Sequence, residues 1–143
     1  LHLRDELKRQ ILTHVLTTQG TTDDKDDNLG QFGRRAFRDP FVVTGRVRRD
    51  PRSVDEALSF LVDLRVRSVD PKRPVKGPVV FTLHGSFRRR RYTVDVRDGS
   101  AEAWLTDIES LGTFTVGVTL AHGVNLEIDL SKLPGAGVEF RQR

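Results

Sequence analysis

The sequence predicts an all-β domain, an antiparallel β-sandwich of about seven to eight short strands. From residue 58 onwards, apolar residues recur at every second position, which is the period of a strand with one buried face. Turn signals such as Asp98-Gly99 and His122-Gly123 separate the predicted strands. No long apolar helix alternates with them, which argues against a parallel α/β sheet. Closely spaced strands with tight turns favour a sandwich.

An apolar stripe with four-residue spacing runs along the N-terminal segment: Leu3, Leu7, Ile11 and Val15. This spacing predicts an amphipathic helix over residues 2–18, ended by Gly20. Residues 20–31 are too polar to bury and are interpreted as a loop or linker. We therefore divide the chain into an N-terminal helix with its polar linker, residues 1–30, and a β-sandwich domain, residues 31–143.

The predicted strands begin at residue 41. Residues 41–48 form the first, and residues 58–67 form a long, half-buried strand with apolar side chains at alternate positions. The sequence Asp-Pro-Lys-Arg-Pro at residues 70–74 then requires a turn or loop. The later strands are predicted at residues 78–84, 92–97, 101–107, 113–121 and 124–130.

Composition limits the classes of site that this chain can contain. Its 143 residues are enough for one hydrophobic core. Cysteine is absent, so disulfides and thiolate metal sites are excluded, and the simplest location is the cytoplasm. The four histidines show no metal-ligand spacing, and we predict neither a metal nor a cofactor. The apolar runs are far too short to cross a membrane, so no membrane span is predicted.

The most informative stretch is Val-Val-Phe-Thr-Leu-His-Gly-Ser-Phe at residues 79–87. An apolar strand ends there in two polar residues, His84 and Ser86, followed by Phe87. Alternation along the strand places His84 on the face opposite the core, at the mouth of the following loop. A second loop, Leu-Gly-Thr-Phe at residues 111–114, follows after the next predicted strands.

These two motifs resemble the signature of the YEATS family, a V-x-F-x-L-H-x-S-F strand and loop followed by an aromatic-G-x-F loop. Their order and spacing are similar to the prokaryotic branch of that family over residues 58–143. The resemblance implies an immunoglobulin-like sandwich that is not an enzyme and recognises its ligand through loops at one end. It assigns ligand binding to six residues: His84, Ser86, Phe87, Leu111, Gly112 and Thr113.

The second loop departs from the family pattern at Leu111. Family members that bind acylated lysine carry Trp or Tyr at this position, and the acyl group enters between aromatic rings. Leucine removes one aromatic wall, so we expect acyl-lysine peptides to bind weakly at best. The implied partners are a protein or peptide ligand and other domains of the same chain, within a larger prokaryotic signalling or defence protein. The start at Leu1 and the absence of methionine suggest a piece of a longer protein.

Other interpretations of the same residues stay open. His84 and Ser86 can serve only to shape a tight loop, since polar residues in turns often satisfy nearby backbone groups. The helical stripe can make the domain a scaffold that contacts a partner protein. The four consecutive arginines at residues 88–91 suggest nucleic-acid binding, although alternation along a strand would point them to opposite faces.

Enzymatic activity and an exposed tryptophan are two further candidates. His84 and Ser86 lack a nucleophile elbow and an obvious third carboxylate in the sequence, so a catalytic dyad is not predicted. Trp104, the sole tryptophan, falls on the strand face opposite Ala103 and Leu105. It marks either an interface or a ring packed beneath neighbouring structure.

Overall fold

Two four-stranded antiparallel sheets make up most of the structure, a computed structural model that describes residues 27–53, 58–96, 101–133 and 137–141. The strands are β1 Phe37–Arg38, β2 Phe41–Arg49, β3 Phe60–Ser68, β4 Val79–Thr82, β5 Arg91–Val94, β6 Ala103–Ser110, β7 Thr115–Thr119 and β8 Asn125–Asp129. A 3-10 helix, Leu130–Lys132, and a short helix α1, Val138–Arg141, follow. The predicted β-sandwich is confirmed for these parts of the chain.

Strand order differs between the two sheets. The first sheet has the order β1-β2-β3-β6 and the second the order β5-β4-β7-β8. All neighbouring strands pair antiparallel. Pairing between β4 and β7 joins two strands that are distant in sequence, with Thr82 opposite Gly117. This pairing places the end of β4 and the start of β7 at the same end of the second sheet.

The hydrophobic core lies between the sheets, and the predicted alternation selects its members correctly. The fully buried residues from the central strands are Val62, Leu64, Val66, Phe81, Val116 and Val118. Because alternate side chains of a strand point to opposite faces, their sequence neighbours lie on the outer faces. Burial of such apolar side chains supplies the main favourable free energy of folding.

The prediction that the long strand is only half-buried is wrong for its first half. Ser59 and Asp63 are buried although they lie on the outer side of the first sheet. The Ser59 hydroxyl donates to the carboxylate of Asp50 at 3.3 Å. Asp63 is covered by Arg46 and Arg48 of β2. Buried polar groups are tolerated here because each has hydrogen-bond partners.

The predicted N-terminal helix over residues 2–18 lies outside the described residues. The linker predicted for residues 20–31 is described from residue 27, and there Asn28 is only 1% exposed. The expectation that this segment is too polar to bury is therefore wrong at Asn28. Residues 27–36, here called the strap, lie against the outer face of the second sheet. The part of the chain that packs on the sandwich therefore includes residues 27–30, before the predicted domain boundary at residue 31.

Candidate functional site

The two loops singled out in the sequence meet at one end of the sandwich. Residues 83–90 connect β4 to β5, and residues 111–114 connect β6 to β7. The rings of Phe87 and Phe114 pack with their centroids 4.9 Å apart and an interplanar angle of 60°. Phe114 is buried, whereas Phe87 is half-buried. The two motifs thus form one continuous patch, here called the loop site.

His84 and Ser86 interact with each other inside the loop site. The Nδ1 atom of His84 lies 2.9 Å from the Ser86 hydroxyl oxygen and accepts a hydrogen bond from the Ser86 backbone N–H at 3.0 Å. Nδ1 therefore serves as the acceptor that holds the Ser86 backbone in the turn. His84 is 4% exposed and Ser86 8% exposed. The pair therefore fixes the shape of the loop. His84 is buried, whereas the sequence predicted that it would lie at the mouth of the loop.

The strap completes the loop site with Asp27, a residue that the sequence reasoning missed. One oxygen of its carboxylate accepts from the Gly85 N–H at 3.1 Å. The other lies 3.9 Å from His84 Nε2, and the carboxylate pairs with Arg90 at 3.6 Å. The sequence carries no signal for this contact, because Asp27 is one of several acidic residues in a polar segment.

Asn28 joins the ends of β4 and β7. Its side-chain amide nitrogen lies 3.0 Å from the carbonyl oxygen of Thr82, 3.1 Å from that of Leu83 and 3.0 Å from that of Thr115. Its carbonyl oxygen accepts from Arg90 at 3.2 Å. A buried amide with every polar atom satisfied fixes the geometry of the backbone around it. Asn28 therefore holds the two strands that carry the loop site in one arrangement.

Asp27, His84 and Ser86 are ordered like a catalytic triad, although the sequence offered no third carboxylate. Two features of the geometry argue against acyl transfer. The distance of 3.9 Å between Asp27 and His84 exceeds a hydrogen bond. The backbone N–H groups of residues 85, 86 and 87 are already bonded to Asp27 and His84, so this loop offers none of these donors for an oxyanion. The arrangement is suited to shaping a binding surface.

The second loop is stabilised by Ser110 at the end of β6. The Ser110 hydroxyl donates to the carbonyl oxygen of Gly112 at 2.6 Å, and it accepts from the Gly112 N–H at 3.2 Å. Gly112 is buried, whereas Leu111 and Thr113 are partly exposed. Of the six predicted binding residues, Phe87, Leu111 and Thr113 thus offer the more accessible side chains.

The strap is anchored over the second sheet by Glu127 and Phe32. The Glu127 carboxylate, 5% exposed, accepts from the backbone N–H of Gly30 at 2.9 Å and from that of Phe32 at 2.8 Å. The Phe32 ring covers Gly117 so closely that a Cβ atom at position 117 would lie 2.3 Å from it. Only glycine leaves room for this ring, and the strap therefore depends on the absence of a side chain in β7.

The arginine run at residues 88–91 does not lie on one regular strand. All four side chains are exposed, and β5 begins only at Arg91. The Arg89 guanidinium lies 4.3 Å from the centre of the Tyr92 ring. Arg90 donates to the carbonyl oxygen of Leu83 at 3.2 Å and also to Asn28. Arg90 is therefore a structural part of the loop site, and the expected strict alternation applies only from Arg91 onwards.

Trp104 is half-buried on the outer face of the first sheet, on the side opposite Ala103, as predicted. Its indole N–H donates to the Glu102 carboxylate at 3.1 Å. The Arg65 guanidinium lies 5.2 Å from the ring centre and also pairs with Glu102. Cation–π and hydrogen-bonding contacts thus hold the ring against its own sheet.

A cluster of arginines and aspartates surrounds Asp63 on the same face. Asp63 accepts from Arg46 at 2.9 Å, from Arg48 at 3.3 Å and from the Asp107 backbone N–H at 2.9 Å. Burial is the largest single influence on the pKa of Asp63 and raises it, but the hydrogen bonds together outweigh burial and lower the pKa below its ordinary value. The pairing of β3 with β6 shifts register between Val62 and Leu64, next to this cluster. The hydrogen bond from the Asp107 N–H to Asp63 joins the two strands there and stabilises the irregular pairing.

Among the described residues, no helix is both long and apolar enough to span a membrane. The same part of the chain contains no group of three or more His, Cys, Asp or Glu side chains placed to hold a metal ion. Comparisons of the chain with protein-family models, with curated proteins and with solved structures find no match.

Proposed function

We propose that this chain is a YEATS-like recognition domain with an immunoglobulin-like sandwich, and that it binds a peptide, a modified protein or a small ligand through the loop site. The observation that carries the proposal is the packing of Phe87 on Phe114 at 4.9 Å. This contact brings together the two motifs that carry the resemblance, which lie in different loops of the chain. A surface made of two loops on a rigid sandwich is a common arrangement for binding.

The surroundings of the loop site support binding without catalysis. His84 and Ser86 satisfy each other, and the nearby backbone donors are committed within the loop. The partly exposed Phe87, Leu111 and Thr113 offer an apolar surface with one hydroxyl. Such a surface suits the extended side chain of a modified lysine, whose apolar part packs on the Phe87 ring and Leu111 while its amide binds one or two polar partners.

The biological setting belongs to the same proposal. A binding module of this kind works within a larger prokaryotic signalling or defence protein in the cytoplasm, where the partners are a protein ligand and the other domains of the same chain. The alternative is a scaffold that contacts its neighbour through the apolar stripe of the N-terminal segment, for which the sequence predicts a helix. The two differ in one respect: a scaffold has no requirement for the side chains of the loop site.

Ser86→Ala in the full chain gives the cleanest test. Its backbone N–H still donates to His84 Nδ1 after the hydroxyl is lost, so we expect a loss of stability of only about 1 kcal/mol. NMR titration with peptides that carry crotonyl-lysine, acetyl-lysine or unmodified lysine then measures binding. The expected result is weak binding of the crotonyl peptide, with shifts at residues 84–87 and 111–114, and a several-fold loss in the variant.

Ser68→Ala is the matched control, because Ser68 ends β3 and, among the described residues, its hydroxyl bonds only to the Asp70 backbone. It should leave the titration unchanged. If the crotonyl peptide shifts no resonance of the loop site, or if Ser86→Ala binds as well as the unmodified protein, the loop site is not the ligand site. The scaffold function would then replace the proposal.

A further inference from the structure

A second site lies away from the loops, in a cavity of about 530 Å³ between β2 and β8. Its apolar lining comes from both sheets and from the segment after β8: Val43, Gly45, Ile128 and Leu133. The strap closes one side with Leu29 and Ala36. None of the six residues of the predicted loop site lines this cavity. Its volume falls within the range of about 300–1,000 Å³ that is typical of small-molecule sites.

Two cations, Arg34 and Lys132, also line the cavity. Both are exposed, and neither forms an ion pair or side-chain hydrogen bond within the described part of the chain. Arg34 has a positive φ of 62° and its guanidinium lies over Gly30, where an added Cβ atom would be 3.0 Å from Nε. As far as the described residues go, both positive charges are thus available to an anionic group.

The two carboxylates of the lining are engaged by hydrogen-bond donors. Glu127 accepts from the Gly30 and Phe32 N–H groups. One oxygen of Asp129 accepts from the Ser131 N–H at 3.0 Å and from the Ser131 hydroxyl at 2.6 Å. Because their oxygens already accept hydrogen bonds, these carboxylates attract a cationic ligand less strongly than the exposed Arg34 and Lys132 attract an anionic one. Their negative charge also disfavours a ligand that carries two negative charges.

We propose that the cavity binds a small monocarboxylate with an apolar chain or ring. The apolar part packs on the floor formed by Val43, Ile128 and Leu133, and the carboxylate pairs with Arg34 and Lys132. Apolar burial supplies most of the affinity, while the two cations select the charge and orientation of the ligand. This site is independent of the loop site and of whatever the loop site binds.

Three probes with the same eight-carbon chain separate charge from apolar burial: octanoate, octanol and octylammonium. Titration of the full chain, followed by NMR, should give the tightest binding for octanoate and the weakest for octylammonium. The shifted resonances should fall in residues 29–36, 43–45 and 127–133. Raising the salt concentration should weaken octanoate binding and leave octanol binding unchanged, because salt screens exposed charges.

Arg34→Gln and Lys132→Gln test the two cations directly. Each should weaken octanoate binding roughly threefold, the effect of losing one partly exposed ion pair, without changing octanol binding. Lys76→Gln removes the same charge from an exposed lysine outside the cavity and should change neither. The proposal is overturned if octanoate does not bind, if the three probes bind equally, or if the shifts fall outside the cavity. Shifts confined to residues 84–87 would assign octanoate to the loop site instead.

Discussion

Phe32 and Glu127, which lie 95 positions apart in the chain, are joined by a hydrogen bond of 2.8 Å from the Phe32 N–H to the Glu127 carboxylate. The second carboxylate oxygen accepts from Gly30 at 2.9 Å. A carboxylate is well suited to this role because both of its oxygens are acceptors. These two bonds dock the strap on β8, and the strap in turn supplies Asp27 and Asn28 to the loop site.

Glu127→Gln tests this docking. Glutamine offers one acceptor and one donor, so one backbone N–H of the strap loses its partner and faces another donor. We expect the free energy of unfolding to fall by about 1–3 kcal/mol. We also expect faster hydrogen exchange at the Gly30 and Phe32 amides. Exchange rates equal to those of the unmodified protein would show that the strap does not depend on Glu127.

Gly117→Ala tests the packing of the Phe32 ring. A methyl group at position 117 would lie 2.3 Å from the ring and must displace it. Urea unfolding should show a loss of about 1–3 kcal/mol. In a Phe32→Ala background the methyl group has room, so the added cost of Gly117→Ala should largely disappear. Additive losses in the double variant would contradict the contact.

Asp63 makes stability depend on pH. Its pKa is lowered in the folded protein, because the hydrogen bonds from Asp107, Arg46 and Arg48 outweigh the effect of burial. A depressed folded pKa contributes stability above the unfolded pKa of about 4, and this contribution is lost as the pH falls through the folded pKa. Asp63→Asn should therefore be less stable than the unmodified protein at pH 7, and the gap should narrow as the pH falls below about 4.

Urea unfolding of both proteins between neutral and acidic pH measures that gap. Asp95→Asn is the control, because Asp95 is exposed and has no hydrogen-bond partner among the described residues. It measures the effect of losing one exposed carboxylate, and the gap for Asp63→Asn should exceed it at pH 7. A constant gap for Asp63→Asn would mean that the arginine cluster does not favour the ionised form.

Leu111→Trp tests the geometry of the loop site. It adds an aromatic ring at a partly exposed position next to Gly112, where acyl-lysine readers of the YEATS family carry one. An added stacking contact of about 1 kcal/mol corresponds to roughly fivefold tighter binding of a crotonyl-lysine peptide. Calorimetric or NMR titration measures the change, with unmodified lysine peptide as the reference ligand.

Val69→Trp is the control substitution, because Val69 is an exposed apolar residue outside both the loop site and the cavity between β2 and β8. It should leave binding of the crotonyl peptide unchanged. Equal effects of the two tryptophans would indicate nonspecific stacking. No binding by Leu111→Trp would show that the loops do not form a slot of the family's shape.

The β-sandwich could be predicted from the sequence, because the pattern that specifies each strand is visible within a few neighbouring residues. The period of two through Val62, Leu64 and Val66 determines which face of β3 is buried, because alternate side chains must point to opposite sides of a strand. The motifs of the two loops are also visible in the sequence, and the structure brings the loops into contact at Phe87 and Phe114. Each of these conclusions depends on residues whose pattern or motif is visible within a few positions.

The tertiary structure alone decided the role of the strap. Asn28 and Asp27 look like solvated linker residues, and their partners at Thr82, Thr115 and Gly85 are 54 or more positions away. No local pattern encodes such a contact, because a polar side chain can be satisfied equally well by water or by a distant backbone group. The cavity between β2 and β8 is likewise a product of packing, formed where two sheets and the strap leave space between them.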